Sequence, residues 1–331
     1  MKAFAELLDI LSTTQGRVTK VKLLSDYFRK TPDPTRGWAL AALTDGLPLR
    51  LSFRRILHAL IETRIDSHLY KLSRDFVGDT AETVALLWPS NGANGEKGPP
   101  ALNQIVEELI HSTSQDHASR ISAVLDHCTI RQRWAFLKLL GGAPRVGLSA
   151  RLAKTALADL GGRDVTEIEE IWHALTPPYS ELFAWIEGIA DRPDPGDQPV
   201  FRPLMLSSPI EENDWSSLSP SEFAAEWKWD GIAVSGGVVR LYSRAGDDIS
   251  QSFPEICSSF SHMNAVLDGE LLVVREGVVA SFNALQQRLN RKTITPRMLR
   301  EYPAFVRLYD LLMLREGDFR SHPFSQRRER L

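Results

Sequence analysis

Phe223-Ala224-Ala225-Glu226-Trp227-Lys228-Trp229-Asp230-Gly231 is the stretch on which the reading of this chain turns. Phe223, Ala225, Trp227 and Trp229 alternate with Ala224, Glu226, Lys228 and Asp230, the two-residue period of a strand with one apolar and one polar side. Glu226, Lys228 and Asp230 are therefore expected on one face. Taken alone, a lysine between two carboxylates marks a solvated strand edge. Its surroundings change that reading: the strand is expected to stop at Gly231, Ile232 to Val234 lead into the turn signal Ser235-Gly236-Gly237, and Val238 to Arg244 reads as the return strand of a hairpin.

An amine attacks only when neutral, and at an ordinary lysine pKa of about 10.4 almost none is neutral at pH 7. Burial against Trp227 and Trp229, a divalent cation or nearby arginines would lower that value, whereas Glu226 and Asp230 would raise it. The two carboxylates thus suit a metal or a substrate hydroxyl better than activation of the amine.

Glu226 to Gly231 resembles motif I, E-x-K-x-D-G, of the covalent nucleotidyltransferases, which comprise DNA ligases, RNA ligases and mRNA capping enzymes. Further matches follow in the family's order. Ser243-Arg244-Ala245-Gly246-Asp247-Asp248 resembles its S-R-x-G-x-D segment, Asp268-Gly269-Glu270 its motif III, and Leu308-Tyr309-Asp310-Leu311-Leu312 its motif IIIa. Phe201 to Pro209 resembles the lead-in that precedes the lysine motif in ligases, and Asn283 to Lys292 a basic segment of the same family. The resemblance implies that Lys228 is the catalytic lysine. It also implies that Glu226, Lys228, Arg244, Glu270 and Tyr309 bind the nucleotide, with Tyr309 stacked on adenine, and that Asp230 and Glu270 serve a metal. The implied cofactors are ATP and Mg2+.

At 331 residues the chain is expected to hold about two domains. With 43% hydrophobic and 24% charged residues it has a globular composition, and its formal charge of −3 excludes a surface uniformly basic for nucleic acid, so any DNA contact must come from local patches. No apolar run approaches a membrane span, the first residues lack the pattern of a secretory signal, and a cytoplasmic, nucleoid-associated monomer is expected. Two distant cysteines, Cys128 and Cys257, form neither a disulfide framework nor a zinc pattern.

From Met1 to about Gly188 the helical period dominates, with helices expected at 54–69, at 80–87 behind an Asp79 cap, and at 102–111, 117–126 and 131–140. In Lys138 to Lys154, Gly141, Gly142 and Pro144 break a helix, Arg145 and Gly147 form a tight turn, and Ser149 caps the next helix, which ends at Gly161-Gly162. Spacing alone favours a helix corner with solvated basic residues over a phosphate contact. Arg133 to Leu157 of this region is, however, similar to the L-x-x-G-x-L-R-I-G-L segment of the helical DNA-binding domain of ATP-dependent DNA ligases. Other stretches of the helical half resemble bacterial stand-alone ligases linked to repair of cisplatin damage. The resemblance turns the balance towards DNA contact by Lys138, Arg145, Ser149, Arg151 and Lys154. On the predicted helix Asn283 to Lys292, Arg288 and Arg291 are either solvated or phosphate-facing.

The Pro-rich stretch from Asp191 to Gln198 marks a hinge. The expected architecture is multidomain, α and α+β: an all-helical N-terminal DNA-binding domain over 1–190, a linker over 191–200, and over 201–331 the N-terminal part of a mixed-sheet adenylation (nucleotidyltransferase) domain. By resemblance the substrates are ATP and nicked double-stranded DNA, joined through a lysyl-AMP in DNA repair, with no membrane partner. Two departures stand out. Ala233 occupies the place of an arginine usual in the family, in a hairpin shorter than usual. The chain also ends at Leu331, just after motif IIIa, so a fragment unable to seal nicks by itself is expected. The competing expectations are a non-catalytic nicked-DNA binding module and an RNA ligase or capping-type enzyme, the latter leaving the helical half unexplained.

Overall fold

The computed structural model describes the chain apart from residues 50, 90–97, 143, 145, 195–209, 220, 223–230, 236–238, 244–246, 290, 292 and 316. Cα packing divides it into two units, one of residues 1–168 and 175–193 and one of 169–174 and 194–331.

The first unit is helical. It begins with α1 (Lys2–Thr13), α2 (Arg17–Lys30), α3 (Thr35–Leu43), α4 (Phe53–Arg64), α5 (Ser67–Val77) and α6 (Thr80–Leu87). It continues with α7 (Leu102–His111), α8 (His117–His127), α9 (Ile130–Leu140), α10 (Ala150–Gly161), α11 (Val165–Trp172), whose last residues group with the second unit, and α12 (Ser180–Ile186). The apolar stripes expected from the sequence are its core: Phe4, Leu8, Leu11, Leu24 and Phe28 are all but inaccessible to solvent. Burying each such side chain contributes about 1.5–3 kcal/mol.

The helix expected over 54–69 is instead two. Asp66 accepts a hydrogen bond from the Leu69 amide at 2.7 Å and so starts α5 as an N-cap, because an Asx side chain competes with the helical backbone. Asp79 caps α6 in the same way through the Glu82 amide, at 2.9 Å.

The second unit contains β1 (Gly231–Ser235), β2 (Arg240–Tyr242), β3 (Ala265–Arg275), β4 (Val278–Val279), β5 (Ala304–Leu314) and β6 (Gly317–Asp318), with α13 (Pro254–Ser259), α14 (Phe282–Gln286), α15 (Pro296–Glu301) and α16 (Phe324–Glu329). The strand order is β2-β1-β3-β5-β6, with β4 paired to β3. Every pairing among the described residues is antiparallel, which corrects the mixed sheet expected from the sequence. The three turns β1–β2, β3–β4 and β5–β6 are too short for the crossover a parallel pair needs. Gly231 to Ser235, expected to lead from a strand end into a turn, instead form β1, which pairs with β2 on one side and β3 on the other.

In β3 the side chains of Leu267, Leu271 and Val273 enter a core shared with Leu241, Phe253, Ile256 and Leu311. Two-residue alternation then gives Asp268 and Glu270 to the other face. The β3–β4 turn is tight: Glu276 and Gly277 take φ values of 50° and 80°, the left-handed pair of a two-residue hairpin. Residues 169–174, expected in the helical half, group with the sheet because Glu170 pairs with Arg320 at 3.3 Å and the His173 ring lies 4.5 Å from that of Tyr242.

Candidate adenylation site and nucleic-acid face

The site is built on the two central strands. Asp268 and Glu270 are 2% and 4% exposed, so both carboxylates lie inside the sheet unit. Gly231 is registered opposite Glu270 and Ala233 opposite Asp268, which brings the end of the lysine motif alongside the motif III carboxylates. On the other side β5 sets Arg307 opposite Glu270 and Asp310 opposite Asp268.

Between these two pairs Leu308 partners Gly269, so Tyr309 is the extra residue of a β-bulge. A bulge re-aims a side chain and commonly lies beside a functional site. Gly269 is required there, since a Cβ on it would lie 2.7 Å from the Arg307 carbonyl oxygen. Tyr309 itself is half-buried.

Two arginines of α16 grip the bulge. Arg327 donates from Nε and Nη2 to the two oxygens of Asp310, each at 2.8 Å, and the Leu311 amide donates to Asp310 Oδ1 at 2.8 Å. The hydrogen bond to Asp310 holds the Arg327 guanidinium above its ordinary pKa. Arg328 Nη1 donates to the Tyr309 carbonyl oxygen at 2.6 Å. Neither arginine stands out in the sequence, because Arg327-Arg328 within a charged run reads as a solvated surface. The signal available was their distance of under twenty residues from Tyr309-Asp310, downstream of a strand that ends in a turn.

The S-R-x-G-x-D segment is closed by its first and fifth residues: the Asp247 amide donates to Ser243 Oγ at 3.2 Å and the Ser243 amide to the Asp247 carbonyl at 2.9 Å. Burial pushes the Tyr242 hydroxyl, next to this segment, above its ordinary range. Lys228, Glu226, Asp230 and Arg244 lie outside the described residues, as does Arg145. Among the described residues no group of three or more His, Cys, Asp or Glu side chains converges as a metal site; of the two carboxylates expected to serve Mg2+, Glu270 is described and Asp230 is not.

Of the residues expected at a DNA face, Ser149 caps α10 by accepting from the Leu152 amide at 3.2 Å, and Arg151 and Arg291 are exposed. Lys138 is ion-paired to Asp79 at 2.6 Å. Burial acts to raise the Asp79 carboxyl, but the Lys138 hydrogen bond and the capped amides outweigh it and hold the carboxyl below the ordinary range.

Two expectations are corrected. Lys154 is 2% exposed and so is packed inside the helical unit. Arg288 is fully buried: it pairs with both oxygens of Glu255, donates to the Ser252 carbonyl at 2.6 Å and stacks over Phe253 at 4.6 Å. A guanidinium committed in this way is turned inwards and is not available to a phosphate. The expected helix over 283–292 accordingly shortens to α14, with turns at 287–289 that carry Arg288 inwards.

Residues 204–331 match the family model of the ATP dependent DNA ligase domain. The match takes in the lysine motif, both carboxylate strands and α16. DNA ligase 1 of Korarchaeum cryptofilum is 25% identical over 357 residues, covering 100% of this chain and 64% of that protein. The probable DNA ligase of Koribacter versatilis is 29% identical over 215 residues, covering 62% of this chain and 37% of that protein. The DNA ligase of Pyrobaculum islandicum is 26% identical, covering 99% of this chain and 62% of that protein. The chain thus spans less than two thirds of the length of these relatives. The solved ligase domain of M. tuberculosis LigD is 28% identical with a TM-score of 0.25, covering 31% of this chain and 32% of that one. The likeness to the ATP dependent DNA ligase domain thus lies in residues 204–331, and the curated relatives that the chain resembles are named DNA ligases. Among the described residues no helix is long and apolar enough to cross a membrane.

Proposed function

We propose that this chain is part of an ATP-dependent DNA ligase that seals nicks in duplex DNA through an adenylate carried on Lys228, in DNA repair. The observation that carries the reading is the register of Gly231 opposite Glu270, within a stretch that matches the ATP dependent DNA ligase domain. It ties the lysine motif, whose lysine lies three residues before Gly231, to a buried carboxylate on the neighbouring strand.

In this reading the neutral Lys228 amine attacks the α-phosphorus of ATP. A P–N bond forms, the bond to the β-phosphate oxygen breaks, pyrophosphate leaves and the amine gives up a proton. The 5′-phosphate at the nick then takes AMP from the lysine, and the 3′-hydroxyl displaces AMP as the phosphodiester forms. Phosphoryl transfer of this type needs alignment and charge neutralisation more than covalent assistance, which divalent Mg2+ supplies in part when bound. Glu226, Arg244 and Glu270 bind the nucleotide, Tyr309 offers its ring to the base, and Asp230 with Glu270 serves the metal. Arg145, Ser149, Arg151 and Arg291 are assigned to DNA phosphates.

The test is sealing of a 5′-phosphorylated nicked duplex by the full-length protein with ATP and Mg2+. Lys228→Ala is expected to abolish sealing, and sealing retained by that variant would overturn the reading.

A further inference from the structure

Lys20 lies on α2, a helix that the sequence gives no functional motif, yet it is 6% exposed. Its Nζ donates to the carbonyl oxygens of Val146 at 2.7 Å and Gly147 at 2.9 Å, in the turn that leads into α10. The turn is shaped around it: Gly147 takes a φ of 65°, and a Cβ at that position would lie 2.7 Å from Lys20 Nζ. A lysine is rarely this buried unless its donors are engaged, and here both carbonyl acceptors belong to one turn.

A trans peptide points its C=O and N–H in opposite directions, and the cis bonds among the described residues are at Asp33–Pro34 and Pro177–Pro178 only. With the carbonyls of Val146 and Gly147 drawn to Lys20, the amides of Gly147 and Leu148 point away from it. Successive amides turned to one side, at a left-handed glycine, form the kind of concavity that receives an anion. Further along α2, the single Ser25 hydroxyl proton is shared between the Ala156 carbonyl and Asp159 Oδ2, each 2.9 Å from Oγ, so α2 holds α10 at a second point that leaves the turn alone.

We propose that Lys20 is a positioning residue for DNA binding, holding the Val146–Gly147 turn so that its amides face a backbone phosphate beside Arg151. The inference rests on the assignment of this segment to DNA phosphates. It differs from that assignment in naming a buried residue of another helix that touches no DNA.

The test is binding of a nicked duplex by the 331-residue chain across a salt series, with wild type, Lys20→Met, Ser25→Ala and Arg151→Glu compared. Lys20→Met is expected to weaken binding about tenfold with the salt slope unchanged, because the amides it positions are neutral and displace no counterion, whereas Arg151→Glu should lower the slope by about one. Hydrogen exchange at the Gly147 and Leu148 amides should speed up in that variant alone. Ser25→Ala, which removes buried hydrogen bonds of the same helix pair, should lower thermal stability while leaving affinity and slope unchanged. If Arg151→Glu weakens binding but Lys20→Met matches wild type, or if Lys20→Met and Ser25→Ala weaken it alike, the positioning role is overturned while the DNA assignment stands. If wild type shows no salt-dependent binding, or Arg151→Glu leaves it intact, the DNA assignment fails and the inference fails with it.

Discussion

Replacing Arg327 by methionine is expected to cost the sheet unit about 3–5 kcal/mol, the range found when one partner of a buried ion pair is removed. The arginine and Asp310 side chains are 6% and 4% exposed, so solvent screens little of their interaction. The variant loses two hydrogen bonds of 2.8 Å to Asp310 and another to the His322 carbonyl, while Asp310 remains inside with the Leu311 amide. Charge-assisted bonds contribute about 1.5–3 kcal/mol each, and relaxation around the methionine keeps the net loss below their sum. Methionine retains most of the apolar stem, so the loss reports the charge. Urea unfolding followed by far-UV circular dichroism, fitted by transition because two units need not unfold together, gives the value. Adding Asp310→Asn removes the stranded charge and keeps an acceptor for Leu311, and is expected to recover about 2 kcal/mol. A single variant that costs less than about 1 kcal/mol, or a double variant no more stable than the single, would refute the clamp on the Tyr309 bulge.

Gly269→Ala should destabilise the sheet by about 1–3 kcal/mol in the same assay, because the added methyl meets the Arg307 carbonyl, which is backbone and yields little; an unchanged midpoint would mean that the bulge is not tightly set. Burial acts to raise the Glu255 carboxyl, yet the Arg288 guanidinium overrides it and holds the group below its ordinary value of 4.5. Its contribution to stability is therefore present above that value and lost as pH falls through the depressed one. Glu255→Gln should lower stability at pH 7 and flatten the acid limb of the stability–pH curve, and an acid limb identical to wild type would contradict this.

Much of the helical unit was legible because its apolar stripes follow a helical period and its breaks carry caps: α6 and α7 begin and end where Asp79, Trp88-Pro89 and the stripe from Leu102 place them. Asp66 was not recognised as a cap, since the apolar pattern runs across it and only the side-chain bond to Leu69 marks the break. Strand alternation put Asp268 and Glu270 on one face but said nothing of the bulges, which insert residues without disturbing composition. The bulge at Tyr309 is set by what approaches Gly269 from the neighbouring strand, a long-range fact. Lys154, expected at a DNA face, and Arg288, expected to be solvated or phosphate-facing, are both enclosed, because spacing along the sequence does not show which cation tertiary packing will bury.

The most direct test of the account is the intact mass of the full-length protein after incubation with ATP and Mg2+, followed by peptide mapping. A gain of one adenylate, released by pyrophosphate, located on Lys228 and absent from Lys228→Ala, is the predicted result. An unmodified mass under conditions where the protein remains folded, or an adenylate on another residue, would contradict the claim that this lysine is the nucleotide carrier.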